Sequence, residues 1–158
     1  MQKSPFKKAV ELIEQHPELA HFSGPKSEEL IKKFEEKLGV QFPESYRNFL
    51  RRFGGGGFCS QEFYGIYQNE ADGFSETFLR RRLSNWPIHF IAVYGVGEGT
   101  EFVIDTLKRD WRGENPIFAV PIQYEKEDQL ELVAHSFGEF FYDTVWEAIE
   151  DDKDPPDQ

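Results

Sequence analysis

The 158-residue sequence is poor in sulfur, in surplus positive charge and in long apolar runs, and each shortage excludes something. Cys59 is the single cysteine, so no disulfide forms within the chain, which fits a reducing compartment and an expected cytoplasmic location. The apolar runs are a few residues long, far below the roughly 18 that a membrane-spanning helix needs. From Met1 to Glu11 and Glu14 there is no apolar stretch of roughly 7–15 residues, so no secretory leader is expected. Lys and Arg number 18 against 29 Asp and Glu, a net charge of −11. Nucleic acid needs a cationic surface to neutralise its phosphates, so the balance argues against nucleic acid as a partner and favours a basic one. His16, His21, His89, His135 and Cys59 are scattered, with no Cys-x-x-Cys and no His-Glu-x-x-His, so no metal or other cofactor is expected. Nor does any spacing select a nucleophile with its base, and no enzymatic activity is expected. Cys59 reads as a buried or half-buried residue near the sheet.

What the chain does have is rings: 16 Phe, 6 Tyr and 3 Trp. A chain this aromatic folds, and its core is built from large side chains. No repeat or Ser/Gly-rich linker divides it.

Helical signals come first. Pro5 follows Ser4 at a first helical position, Ala9, Leu12 and Ile13 share a face, and His16-Pro17 ends the segment. Ser27 caps a second helix with Leu30, Ile31, Phe34 and Leu38 on one face, and Gly39 stops it. Pro43 opens a third, where Tyr46, Phe49, Leu50 and Phe53 fall at i, i+3, i+4 and i+7. Gly54–Gly57 then reads as a helix cap and a sharp reversal. Strand patterns follow at 63–67, 88–94, 100–105, 117–122 and 130–134, interrupted by a short helix over 75–83. Ser136 and Glu139 form a capping box for a last helix that stacks Phe137, Phe141, Val145 and Ile149. Helices, then a run of strands, then a closing helix predict an α+β fold: a mainly antiparallel β-sheet packed with N-terminal helices and a closing C-terminal helix.

Charge is placed unevenly. Residues 1–60 carry 10 Lys/Arg and 8 Asp/Glu, whereas 61–158 carry 8 and 21. The segment from Glu150 onward reads as a solvated, frayed acidic tail, and the body before it remains acidic. Gly95-Val-Gly-Glu-Gly-Thr reads as a hairpin turn, because the phosphate loop Gly-x-Gly-x-x-Gly needs glycine where Thr100 stands and a helix where a strand follows. In the strand Thr100–Asp105, Phe102 and Ile104 share one face while Glu101, Val103 and Asp105 share the other. Glu98, Glu101, Asp105, Glu125, Glu127 and Asp128 are either solvated edges or a surface that meets a basic partner; Asp105 also reads as a turn residue. Trp86 and Trp111, in polar loops, are candidate anchors for a partner. Trp146 reads as flanking the core.

Three blocks carry a resemblance. Leu38, Gly39, Phe42, Pro43, Tyr46, Phe49, Leu50 and Gly54–Gly55 resemble the opening pattern of the SUKH superfamily. Ile91–Asp105 resembles its strand, Gly-rich turn and strand ending in Asp, and Ser136–Phe141 resembles its closing helix. The tetraglycine departs from the Asn or Asp-Gly that the family often has after the third helix. The resemblance implies one SUKH-like domain over 1–150, with 1–26 a helical extension, 27–150 the family core and 151–158 the tail. It further implies an immunity protein that binds and occludes a cognate secreted bacterial toxin, which nuclease chemistry would make basic. The alternative it leaves open is a regulatory protein–protein interaction module without a toxin.

Overall fold

A computed structural model of the chain describes residues 3–153. Helix α1, Pro5–Gln15, starts where the Ser4 hydroxyl accepts from the Lys7 N–H, and buries Phe6, Ala9 and Ile13. Helix α2, Glu28–Leu38, is capped by Ser27 and stopped by Gly39 in the left-handed region. Helix α3, Glu44–Arg52, buries Tyr46, Phe49 and Leu50 on the expected stripe. The turn between α2 and α3 is clamped by Glu35, whose carboxylate accepts from the Phe42 N–H at 2.7 Å and pairs with Arg47.

Seven strands, the first of them between α1 and α2, form one sheet ordered as they occur in the chain, each antiparallel to the next. They are β1 (Ala20–Phe22), β2 (Gly56–Phe58), β3 (Gln61–Phe63), β4 (Phe90–Gly95), β5 (Thr100–Asp105), β6 (Ile117–Pro121) and β7 (Glu131–Ala134). Helix α4, Ser75–Leu83, lies between β3 and β4, and α5, Phe137–Lys153, closes the fold. The α+β architecture with a mainly antiparallel sheet and a closing helix is as the sequence predicts.

The differences have physical causes. The tetraglycine enters the sheet: Gly56 pairs with Phe22 on one side and Phe63 on the other. Gly54 caps α3 at φ +74°, and a Cβ at Gly65 would lie 2.1 Å from the Gly54 carbonyl oxygen. The close approach that bare backbone permits is therefore made by the chain to itself. The strand expected over 63–67 ends at Phe63, its first residue, and starts two residues earlier. The acidic segment expected to fray at Glu150 stays helical to Lys153; the rest of that expected tail, 154–158, lies outside the described residues. In the capping box Ser136 accepts from the Glu139 N–H as expected, but the Glu139 carboxylate accepts from His135.

Both faces of the sheet are covered. On one, α1, α2, α3 and α5 pack Phe6, Phe49, Phe137 and Phe141 against Phe63, Ile91 and Ile104. On the other, Trp86, Phe90, Ala92, Val103 and Val120 make a second, smaller core. Helix α4 is tied to that face where the Thr77 hydroxyl accepts from the Ala92 N–H at 2.9 Å. Val103 and Ile104, neighbours in β5, belong to different cores, as strand alternation requires.

Candidate functional site

The second core decides the fate of several candidate residues. Trp86 is 4% exposed, and its indole N–H donates to the Ile122 carbonyl at 2.9 Å, so it is a core residue and presents no anchor to a partner. Asp105 is 2% exposed: its carboxylate accepts from the Leu107 N–H, and its own carbonyl accepts from the Asn115 amide. It builds the turn after β5. Glu101 is 6% exposed, lies near Glu76 and Arg80 of α4, and has one carboxylate oxygen buried without a hydrogen-bond partner. Burial first, then the neighbouring Glu76 carboxyl, push its carboxyl up to about 8, against the pull of Arg80 and Tyr64. These three side chains left the reach of a partner because α4 and the loop after Ser84 cover the face that alternation alone leaves open.

Glu98, Glu125, Glu127 and Asp128 are exposed. Glu98 stands on the turn between β4 and β5. The other three ride on the loop after β6, which folds back so that the Tyr124 ring meets Phe90 at 4.9 Å. Trp111, 93% exposed, sits on a turn built by Asp110, whose carboxylate accepts from the N–H groups of Arg112 and Glu114. Trp146 is 48% exposed, more open than a residue flanking the core. Cys59 is half-buried; burial and the charges of Asp152 and Glu18 push its thiol up, which keeps it protonated and poorly nucleophilic.

An acidic stripe and a groove lie along α5. Its buried side holds Phe140, Phe141, Val145, Ala148 and Ile149, and beside it Asp143, Glu147 and Asp151 follow at i, i+4 and i+8. They wall a groove of about 340 Å³ whose floor is Tyr94, Phe102 and Phe140. A second hollow of about 330 Å³ continues from it past Gln61 and Ala148 to Cys59 and Asp152. Among the described residues no Lys or Arg lines either hollow, and none of Asp143, Glu147, Asp151 and Asp152 has an ion-pair partner. Partial burial and the charge of Glu139 push the Asp143 carboxyl up, and burial with the charge of Glu147 pushes Tyr94 up. Like charges at i and i+4 cost a helix a few tenths of a kcal/mol per pair, so the stripe is not there for stability. Its i, i+4, i+8 spacing is legible in the sequence, but as a pattern it does not differ from an ordinary solvated helix face.

Fold and surface together define an aromatic-cored α+β domain with an acid-walled groove beside its closing helix. The SUKH_6 family model, described as SMI1-KNR4 cell-wall, matches residues 28–141, from the start of α2 into α5. The chain belongs to the SUKH superfamily. Asp143, Glu147, Asp151 and Asp152 follow the matched span.

Proposed function

We propose that this protein is an immunity protein of the SUKH superfamily, which binds a cognate bacterial toxin in the cytosol and neutralises it by occlusion. The observation that carries the reading is the unpaired carboxylate stripe of α5 above an apolar groove, on a domain of this family. A toxin that cleaves nucleic acid must gather Lys and Arg around its cleft, and such a surface is the electrostatic complement of this one. Exposed Glu98, Glu125, Glu127 and Asp128 add to the field that steers a basic partner inward, while Trp111 offers a separate apolar contact. The inhibitor contributes no bond-making step and needs no cofactor; it holds the toxin's working surface away from substrate.

Co-expression with the toxic domain encoded beside its gene tests this. Growth rescue and co-purification that weakens with added salt are expected. Unrelieved growth arrest in the presence of soluble protein would overturn it. The cell-wall description of the matching family favours a second reading, a regulatory interaction module, in which the same groove would take a basic segment of a host protein.

A further inference from the structure

We infer that the groove beside α5 is an arginine-docking pocket, which takes one guanidinium side chain of the partner protein. The inference rests on the proposal that the partner is basic, and adds which basic group it presents and where.

The floor makes the distinction. Tyr94 and Phe102 stack with ring centroids 5.4 Å apart and an interplanar angle of 10°, and the edge of Phe140 meets both at 5.4 and 5.5 Å. Phe102 remains partly exposed at the groove. Tyr94 is held in place by Gln61, another lining residue, to whose side-chain oxygen its hydroxyl donates. The wall above the rings carries Asp143 and Glu147, one helical turn apart. A planar cation stacks on aromatic faces and offers forked donors to carboxylates, which is the chemistry of guanidinium; an ammonium is a compact, strongly hydrated point charge that uses the carboxylates but gains less from the rings. About 340 Å³ leaves room for the head and its methylene stem. The cations that the described residues bring over their own rings are at Tyr142, Phe34, Phe53, Phe78 and Phe118, so none covers the groove; its accessible ring is Phe102, backed by buried Tyr94 and Phe140.

The test needs no toxin, so its outcome is separable from that of the immunity reading. Isotope-labelled full chain is titrated at low salt with the peptide acetyl-Gly-Arg-Gly-amide and with its lysine and citrulline counterparts. Shift changes concentrated at residues 143–151 and Phe102 are expected, with the arginine peptide about fivefold tighter than the lysine one and no response to citrulline. Asp143→Asn with Glu147→Gln, both exposed and outside the cores, should weaken the arginine peptide by about tenfold at low salt with an unchanged melting temperature. Equal responses to arginine and lysine, or shifts spread equally over Glu98 and 125–128, would overturn the pocket and leave only a diffuse acidic field.

Discussion

Ser45 and Gly138, 93 residues apart, meet where the Ser45 hydroxyl oxygen accepts the Gly138 N–H at 2.9 Å. The same hydroxyl donates to Glu114 at 2.7 Å, and the Ser45 N–H reaches the other oxygen of that carboxylate at 2.9 Å. One small side chain thus ties the first turn of α3 to the start of α5 and to the loop between β5 and β6. Ser45→Ala leaves a buried N–H and a carboxylate oxygen short of a partner and should cost about 1–3 kcal/mol. Denaturant unfolding measures it; a loss below about 0.5 kcal/mol would mean that water replaces the hydroxyl without cost.

The helix phase is tested by a pair of neighbours. Leu50 is fully buried, and Leu50→Ala should cost about 2–5 kcal/mol. Arg51, 39% exposed, pairs with Glu28, and Arg51→Ala should cost under about 1 kcal/mol. Equal thermal shifts would refute the assignment of the core face.

Glu101 sets a pH dependence. Its carboxyl titrates at about 8 in the fold against an ordinary 4.5, so the folded chain holds a proton that the unfolded chain releases. Stability from this group is fully present below pH 4.5 and is lost as pH rises through 8. Glu101→Gln keeps the neutral form at every pH. Its melting temperature relative to wild type should climb from about pH 5 to about pH 8 and level off above that; a constant offset would rule the mechanism out.

Two glycines separate conformation from crowding. Gly54 and Gly97 have nearly the same φ, +74° and +76°. A Cβ at Gly97 meets nothing within 4 Å, while at Gly54 it would lie 2.5 Å from the Ser23 hydroxyl and 2.6 Å from the Gly24 carbonyl oxygen. Gly97→Ala should cost about 1–2 kcal/mol, the left-handed penalty alone. Gly54→Ala should cost more than about 3 kcal/mol, since backbone has to move. Similar losses in the two would show that the packing around Gly54 yields easily.

What the sequence makes legible follows the range of the forces involved. The helices carry their own period, and Ser27, Gly39 and Ser136 mark their ends by local hydrogen bonds and backbone freedom. Strands β4 to β7 carry β-branched and aromatic runs. By contrast β1, with three residues, and β2, which begins with two glycines, have no such pattern; they are strands because Phe22 and Phe63 stand on either side of Gly56. The burial of Glu101 and Asp105 is hidden for the same reason. Alternation in β5 shows that they share a face with Val103, but only the path of the chain through Thr77 and Trp86 determines that this face is closed.

The pairing of α1 with α5 bears on the order of events at the ribosome. Phe6 stacks on Phe141 at 5.8 Å, and Gly138 sits against Phe6. The sheet is sequential, so it can build strand by strand as it emerges, but the apolar side of α1, which meets Phe53 only edge-on, lacks its main seat until α5 has left the exit tunnel. Helix α1, made before the rest of the domain, waits with Phe6, Ala9 and Ile13 largely uncovered while the residues up to α5 are added. At a translation speed of about 5–20 residues per second that interval is many seconds, long enough for chaperones to attend the nascent helix, and stalling before residue 137 would leave a sheet without its clasp.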